Sequence, residues 1–310
     1  MKKIVLLAAV LMAGYTVKAQ GFYMDASVGY GFGAPSTNFG VKTYEDFANP
    51  LNNTTENIYG TLGNGINVAL TPGYFFNDHI GVELGLQGFF GMKSRVSDAT
   101  SDNELIYSFT DAKTTQFRVI PSLVISTGNS KKLSAYAKLG IVMPIVGATY
   151  GSQESSEFSA ALAAVSGGQV THIKREIETV TKGNFTVGFR GAVGVNFNVS
   201  DKIAIFAEVH HTSLTIKPKT RQVESYVVNG TDIVESAYVV NNINVSAIQL
   251  GNATGTLPES SVHTEYVDNL SSTSNVDGNA GFNADKATQA LPSKTNFNQL
   301  GLNIGVKFNF

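Results

Sequence analysis

Apolar and polar residues alternate with a period of two along most of this 310-residue chain. In the first such segment Phe22, Met24, Ala26, Val28, Tyr30 and Phe32 share one parity, while Tyr23, Asp25, Ser27, Gly29, Gly31 and Gly33 share the other. In a strand, that spelling puts an apolar face on one side and a polar, glycine-rich face on the other. The pattern returns seven times: Ile66 to Phe76, Ile80 to Met92, Phe117 to Ile125, Leu133 to Ile145, Phe185 to Phe197, Ile203 to Val209 and Leu300 to Phe310. Pro72, Pro121 and Pro144 fall inside these segments, where each removes a ladder donor, so bulges are expected there.

The distribution of charge separates two ways of folding eight such strands. A soluble barrel keeps its apolar face inside. Here the polar parity holds the charges and the apolar parity carries almost none, which suits a wall surrounded by lipid. Each segment supplies the roughly 9–11 residues that cross a bilayer as a tilted strand. The connections alternate in length as well. Asn77-Asp78, Gly128 to Lys132 and Ser200 to Lys202 are short. Ala34 to Thr61, Lys93 to Ala112, Gly151 to Asn184 and Leu214 to Asn296 are long. Short turns on one side and long loops on the other are the asymmetry of outer-membrane barrels. In lipid every backbone group needs a partner, so the sheet must close. The fold expected is all-β: an eight-stranded antiparallel transmembrane β-barrel over residues 20–310, with long extracellular loops.

The start of the chain sets the compartment. Lys2 and Lys3 precede an apolar run from Ile4 to Gly14, and Val17 and Ala19 occupy the small-residue positions that a signal peptidase reads. Residues 1–19 therefore read as a signal peptide cut between Ala19 and Gln20, the apolar run being too short for a membrane helix. There is no cysteine, which excludes disulfides, a lipoprotein anchor and thiol chemistry. Loss of Lys2, Lys3 and Lys18 with the signal lowers the formal charge from −2 to −5, against the basic footprint that nucleic-acid binding requires.

The last strand, Gly301 to Phe310, alternates into a terminal phenylalanine, and Phe308 and Phe310 look like an insertion signal for outer-membrane barrels. With the Ala19-Gln20 junction and the run from Phe206-Ala207-Glu208 into Leu214 to Lys219, it makes the chain resemble small outer-membrane proteins of the OmpA/OmpX-like class, in their Bacteroidetes form. The resemblance covers nearly the whole mature chain and lacks the peptidoglycan-binding domain of the OmpA type. It implies outer-membrane localisation, lipid and the barrel-assembly machinery as partners, and a surface ligand or partner held by the loops.

Seven charges share the inward parity: Asp25, Glu83 and Glu208, with Arg118, Lys138, Arg190 and Lys307. In a lumen just wide enough for side chains to fill, they are expected to pair into a network, since an unpaired buried charge is very costly. A charged lining for a small-solute, porin-like channel is the alternative, favoured if an outside hairpin enters the wall and makes ten strands. That hairpin is predicted in the Leu214 to Asn296 loop, from Gln222 to Val228, through Asn229-Gly230, to Thr231 to Val240. Thr171 to Thr181 could extend the sixth strand, and Ser271 to Asn283 reads as a mobile tract. His211, Ser213 and Glu224 loosely resemble the catalytic set of lipid A deacylases, but Leu214 stands where that family has asparagine. Asp277, Asn279 and Asp285 lack the glycine register of a calcium loop. No enzyme, metal or cofactor is expected, and the role expected is structural or surface interaction.

Overall fold

A computed structural model describes residues 21–34, 37–128, 131–234, 236–240, 243–244 and 255–310. The signal-peptide segment and its cleavage site lie outside the described residues. Eight strands form the wall: β1 (Phe22–Gly33), β2 (Gly65–Phe75), β3 (Ile80–Gly91), β4 (Tyr107–Ser126), β5 (Leu133–Phe158), β6 (Gly188–Asn198), β7 (Ile203–Ser213) and β8 (Gln299–Asn309). Each pairs antiparallel with its neighbours in sequence, and β8 pairs back onto β1 from Gly33↔Gln299 to Tyr23↔Asn309. The ladder therefore returns to the strand where it began.

The two parities separate as the alternation requires. Val28, Val68, Leu70, Leu84, Leu123, Leu139, Val193, Ile205, Leu302 and Ile304 all point outward and are exposed in the isolated chain. Facing inward and buried are Asp25, Asn67, Glu83, Gln87, Gln116, Arg118, Asn196, Glu208, His210, Gln299, Asn303 and Lys307. Aromatic side chains border the apolar belt. Phe32, Phe90, Phe117, Phe185 and Phe189 stand toward the long loops, and Tyr74, Phe76, Phe197, Phe308 and Phe310 toward the short turns. Phe22 and Phe310 meet at 5.5 Å between ring centroids.

Of the three prolines, Pro144 alone sits at a bulge: Phe117 pairs with Val146 and Arg118 with Pro144, leaving Ile145 as the extra residue. Pro72 and Pro121 keep register. Pro72 pairs with Met24, and the ladder lapses only on its β3 side, between Leu70↔Leu86 and Gly73↔Glu83. Pro121 pairs with Leu84 and lapses only toward β5. Each proline lacks a single N–H, so a single ladder loses a bond and the strand need not bend.

Three of the expected loops, Ala34 to Thr61, Lys93 to Ala112 and Gly151 to Asn184, are largely strand. β5 has 26 residues, about 85 Å at the usual rise, so its second half stands clear of any bilayer. The upper halves of β4 and β5 continue the sheet outward. On one side follow Ser94–Ser101, then Thr37–Glu45 and Thr54–Gly60; on the other, His172–Gly183, Pro218–Val228, His263–Tyr266 and Thr288–Ala290. This extension is open, whereas the ring below it is closed. His172–Gly183 runs along the same edge of β5 as β6, separated from it by residues 184–187. The alternation in residues 94–112 and 151–158 is too polar to mark a lipid-facing wall, and for that reason it reads as loop, whereas His172–Gly183 is the strand above the sixth that Thr171 to Thr181 suggested.

The predicted hairpin exists but is short. Asn229 (φ 45°) and Gly230 (φ 87°) turn Pro218–Val228 into Thr231–Asp232, and the hairpin pairs with His172–Gly183 outside the ring rather than entering the wall. The two-residue turn needs positive φ at both positions, which suits Asn-Gly. Burial tends to raise the Asp232 carboxyl, but hydrogen bonds from the Val234 N–H, the Ser225 hydroxyl and the Tyr226 N–H hold it below the usual aspartate range. Gly230→Val is expected to lose about 1–2 kcal/mol locally by forcing a β-branched residue into the left-handed region. Hydrogen exchange of the amides of residues 225–233 would detect the loosening, while the wall amides keep their protection. Residues 271–283, which read as a mobile tract, are tied by the Asn275 side-chain amide to the carbonyls of Asn283, Lys286 and Ala287.

Candidate functional site

Lys138 projects into the lumen from β5 and is the hub of the interior charges. Its Nζ lies 2.9 Å from Glu83, 3.2 Å from Glu208 and 3.7 Å from Asp25. Arg190 reaches Glu208 at 2.9 Å, and Lys307 lies 4.0 Å from Asp25. The carboxylates receive neutral donors as well: the Tyr23 hydroxyl on Glu83 at 2.7 Å, the Tyr136 hydroxyl on Glu208 at 3.3 Å and the Asn303 amide on Glu208 at 3.2 Å. Lys307 also sits over the Tyr23 ring, 4.1 Å from its centroid. The space left beside the network is about 40 Å³, room for roughly three water molecules.

Arg118, the seventh inward charge, does not join this network. It is fully buried, lies over the Phe89 ring at 4.2 Å and donates to Gln116 Oε1 at 2.8 Å. With the Gln299 amide oriented to suit its neighbours, that side chain accepts from Arg118 Nη1 at 3.2 Å and donates to the Gly63 carbonyl at 2.9 Å. The aromatic face and the two amide oxygens offset part of the cost of burying a cation without a carboxylate, while Arg118 Nη2 finds no hydrogen-bond acceptor among the described residues.

Apolar groups close the lumen above and below the charges, and sequence reasoning missed them. From the outer loops Leu62, Leu214, Ile216 and Phe297 come down on Ile120 and Val142. Backbone bonds pin this plug. Leu62 N–H donates to Asn296 O at 3.0 Å, Phe297 N–H to Leu214 O at 2.8 Å, and the Thr61 hydroxyl reaches Asn296 O at 3.0 Å. Toward the short turns Tyr23, Phe75, Val124, Tyr136 and Phe206 form a second apolar cluster. Tyr136 lies against Gly194, where a Cβ would collide with its ring. The signal was present in the sequence: Phe75, Phe89, Ile120, Val124, Val142 and Phe206 are apolar residues standing on the polar parity.

The other candidates stay apart. His211 and Ser213 point to the outer face of β7, and among the described residues no hydrogen bond joins either to the other or to Glu224. Glu224 belongs to Pro218–Val228 and lines a surface hollow with Lys93, Asp111 and Glu178. Asn279 spends its side-chain amide on the carbonyls of Ser271 and Ser274.

A closed ring of eight strands, apolar outside and charged within, is what a lipid-embedded barrel requires. Residues 4–247 match the family model described as the outer membrane protein β-barrel domain. The chain belongs to the outer-membrane β-barrel family. It is an outer-membrane protein in a lipid environment. Solved structures that the chain matches include Neisserial surface protein A (10% identity, 95% of this chain and 100% of that one, TM-score 0.37). The outer membrane protein OprG of Pseudomonas aeruginosa matches at 11% identity over 94% of this chain and 97% of that one, with a TM-score of 0.39. CarO of Acinetobacter baumannii matches at 12% identity over 93% and 97%, with a TM-score of 0.31. No curated protein sequence matches the chain.

Proposed function

We propose that this barrel is closed to solutes and serves as a rigid stem for a recognition surface outside the cell, as a small OmpA/OmpX-like protein of the Bacteroidetes form. The observation that carries the reading is the filled lumen: Lys138 binds three carboxylates beneath the plug of Leu62, Leu214, Ile216 and Phe297. A pathway for solutes would cross both the plug and the network. The sheet extension outside the membrane offers what a binding surface needs, a hydrogen-bonded platform with polar, varied side chains. In this reading residues 1–19 are removed on export, Phe308 and Phe310 are read by the assembly machinery, and the partner is an extracellular ligand or surface molecule. The chain performs no catalysis.

Single-channel recording of the refolded mature protein in a planar bilayer tests this. A folded barrel, verified by its resistance to unfolding on unheated gels, is expected to stay silent across the usual voltage range. Steady conductance steps would sink the reading in favour of a small-solute channel. Lipid A from cells with and without the protein is expected to show the same acyl pattern.

A further inference from the structure

Above the closed ring a gap opens along the edge of β5, between β6 and His172–Gly183. β5 pairs with β6 up to Gly188↔Val142 and with His172–Gly183 from Ala148↔Lys182, and no pairing spans residues 143–147 and 183–187 between them. The Pro144 bulge sets one lip of this gap. At the other lip the chain turns inward: the Asn184 N–H donates to Lys217 O at 2.8 Å, the Asn184 side-chain amide to Pro218 O at 3.3 Å, and the Thr186 hydroxyl to Thr215 O at 3.1 Å. Backbone that should pair across the wall is spent instead on the segment carrying Ile216. Gly183 permits this, because a Cβ there would meet the Ile216 side chain.

The gap opens into a crevice of about 390 Å³, within the range of about 300–1,000 Å³ that takes a small organic ligand. Its outer lip is apolar: Ile145, Val146 and Phe185 are 52%, 69% and 69% exposed. It ends on Ile216 and Phe297, so the plug closes its inner end. Its height is fixed by Val146, which pairs with Phe117 of the outer aromatic border. Lys182 and Lys219 line the same crevice, and among the described residues neither has an ion-pair partner. Lipid tolerates unpaired backbone only where protein or a filled cavity covers it. Two cations above an apolar slot, at the level where hydrocarbon gives way to headgroups, match a molecule with a phosphate at one end and an acyl chain at the other.

We infer that this lateral crevice binds a phosphate-bearing lipid of the surrounding membrane, with an acyl chain between Ile145, Val146 and Phe185 and the phosphate on Lys182 and Lys219. This goes beyond the closed-stem reading and does not depend on it: the crevice reaches Thr114 and Gln116 but ends on the plug residues Ile216 and Phe297.

Native mass spectrometry of the refolded mature protein, released from detergent with one of three probes, tests the site. Phosphatidylglycerol is expected to stay bound at one molecule per barrel, while phosphatidylcholine and chain-free glycerol 3-phosphate do not. Lys182→Ala with Lys219→Ala is expected to weaken phosphatidylglycerol retention about tenfold, as the loss of a charge-assisted hydrogen bond would. Lys182→Arg with Lys219→Arg should retain it. So should Lys42→Ala with Lys174→Ala, which removes equal charge elsewhere on the outer extension. Equal retention of phosphatidylcholine and phosphatidylglycerol, indifferent to the lysines, would mean unspecific boundary lipid and overturn the proposal. Retention of glycerol 3-phosphate equal to that of phosphatidylglycerol would overturn it too, by showing an anion site without a chain slot. The conductance experiment is blind to all these outcomes, so failure here and failure of the closed-stem reading are distinguishable.

Discussion

Lys138→Met is expected to destabilise the barrel by about 3–5 kcal/mol, the usual cost of removing one member of a buried ionic cluster. The size follows from the geometry. One ammonium stands within 4 Å of Glu83, Glu208 and Asp25, whose side chains are nearly inaccessible to water. Without it Arg190 still holds Glu208, and Lys307 still lies 4.0 Å from Asp25, but Glu83 keeps only the Tyr23 hydroxyl and, among the described residues, no cation. Methionine fills the volume and leaves the carboxylates facing one another. Unfolding of vesicle-embedded protein by guanidinium, followed by circular dichroism, gives the measurement. Leu139→Met, one residue along on the lipid side, should lose less than about 1.5 kcal/mol, as volume-conserving apolar swaps do. Combining Lys138→Met with Glu83→Gln should recover part of the loss, because it removes the stranded charge. If Lys138→Met unfolded like the parent, the carboxylates would have other partners or enough water, and the network would not be a structural element.

Ile304→Arg probes the opposite face and is expected to cost about 2–4 kcal/mol, the penalty for arginine near the bilayer midplane on the outside of a barrel. Ile304 stands midway along β8, 57% exposed, between Val28 of β1 and Ala207 of β7. Its neighbour Asn303 points into the lumen and donates to Glu208. A one-residue change of parity therefore separates hydrocarbon from the charged interior. Asp201→Arg, in an exposed turn at the end of the wall, should stay within about 0.5 kcal/mol of the parent. The same guanidinium titration reads both variants. An Ile304→Arg protein as stable as the parent would mean that this face is not in lipid, and the assignment of inside and outside would fall with it.

Together these two substitutions test the rule on which the fold is built. In a lipid-embedded barrel, stability comes from satisfied backbone pairing and a polar interior that satisfies itself, since the outer face gains little from leaving one apolar medium for another. The interior then needs partners for every charge. Glycines at the positions faced by large inward rings, such as Gly194 under Tyr136, let those rings lie flat in the lumen.

The wall was legible in the sequence because strand periodicity is a local property: parity at each residue says which face it takes, whatever the rest of the chain does. The eight segments, the lengths of the turns, and the inward set of Asp25, Glu83, Lys138, Arg190, Glu208 and Lys307 follow from counting in twos. Contacts between distant segments are another matter. That Arg118 leaves the carboxylates for Phe89 and Gln116 depends on strand stagger, which alternation does not specify. That Leu62, Leu214, Ile216 and Phe297 meet on Ile120 depends on how two loops fold back into one mouth, a matter of loop closure and packing over sequence separations as large as 235 residues. Most of the outer extension was hidden because its strands are polar on both faces; only Thr171 to Thr181, where Ile173 and Ile177 alternate with charges, and the hairpin strand from Gln222 to Val228 showed in the sequence. The gap beside Pro144 was half visible, as a proline in a strand. Only the tertiary structure decided that this proline would sit at a bulge against β4 while Pro72 and Pro121 keep register, and that on the other edge of β5 residues 184–186 turn away to bond with Thr215 to Pro218.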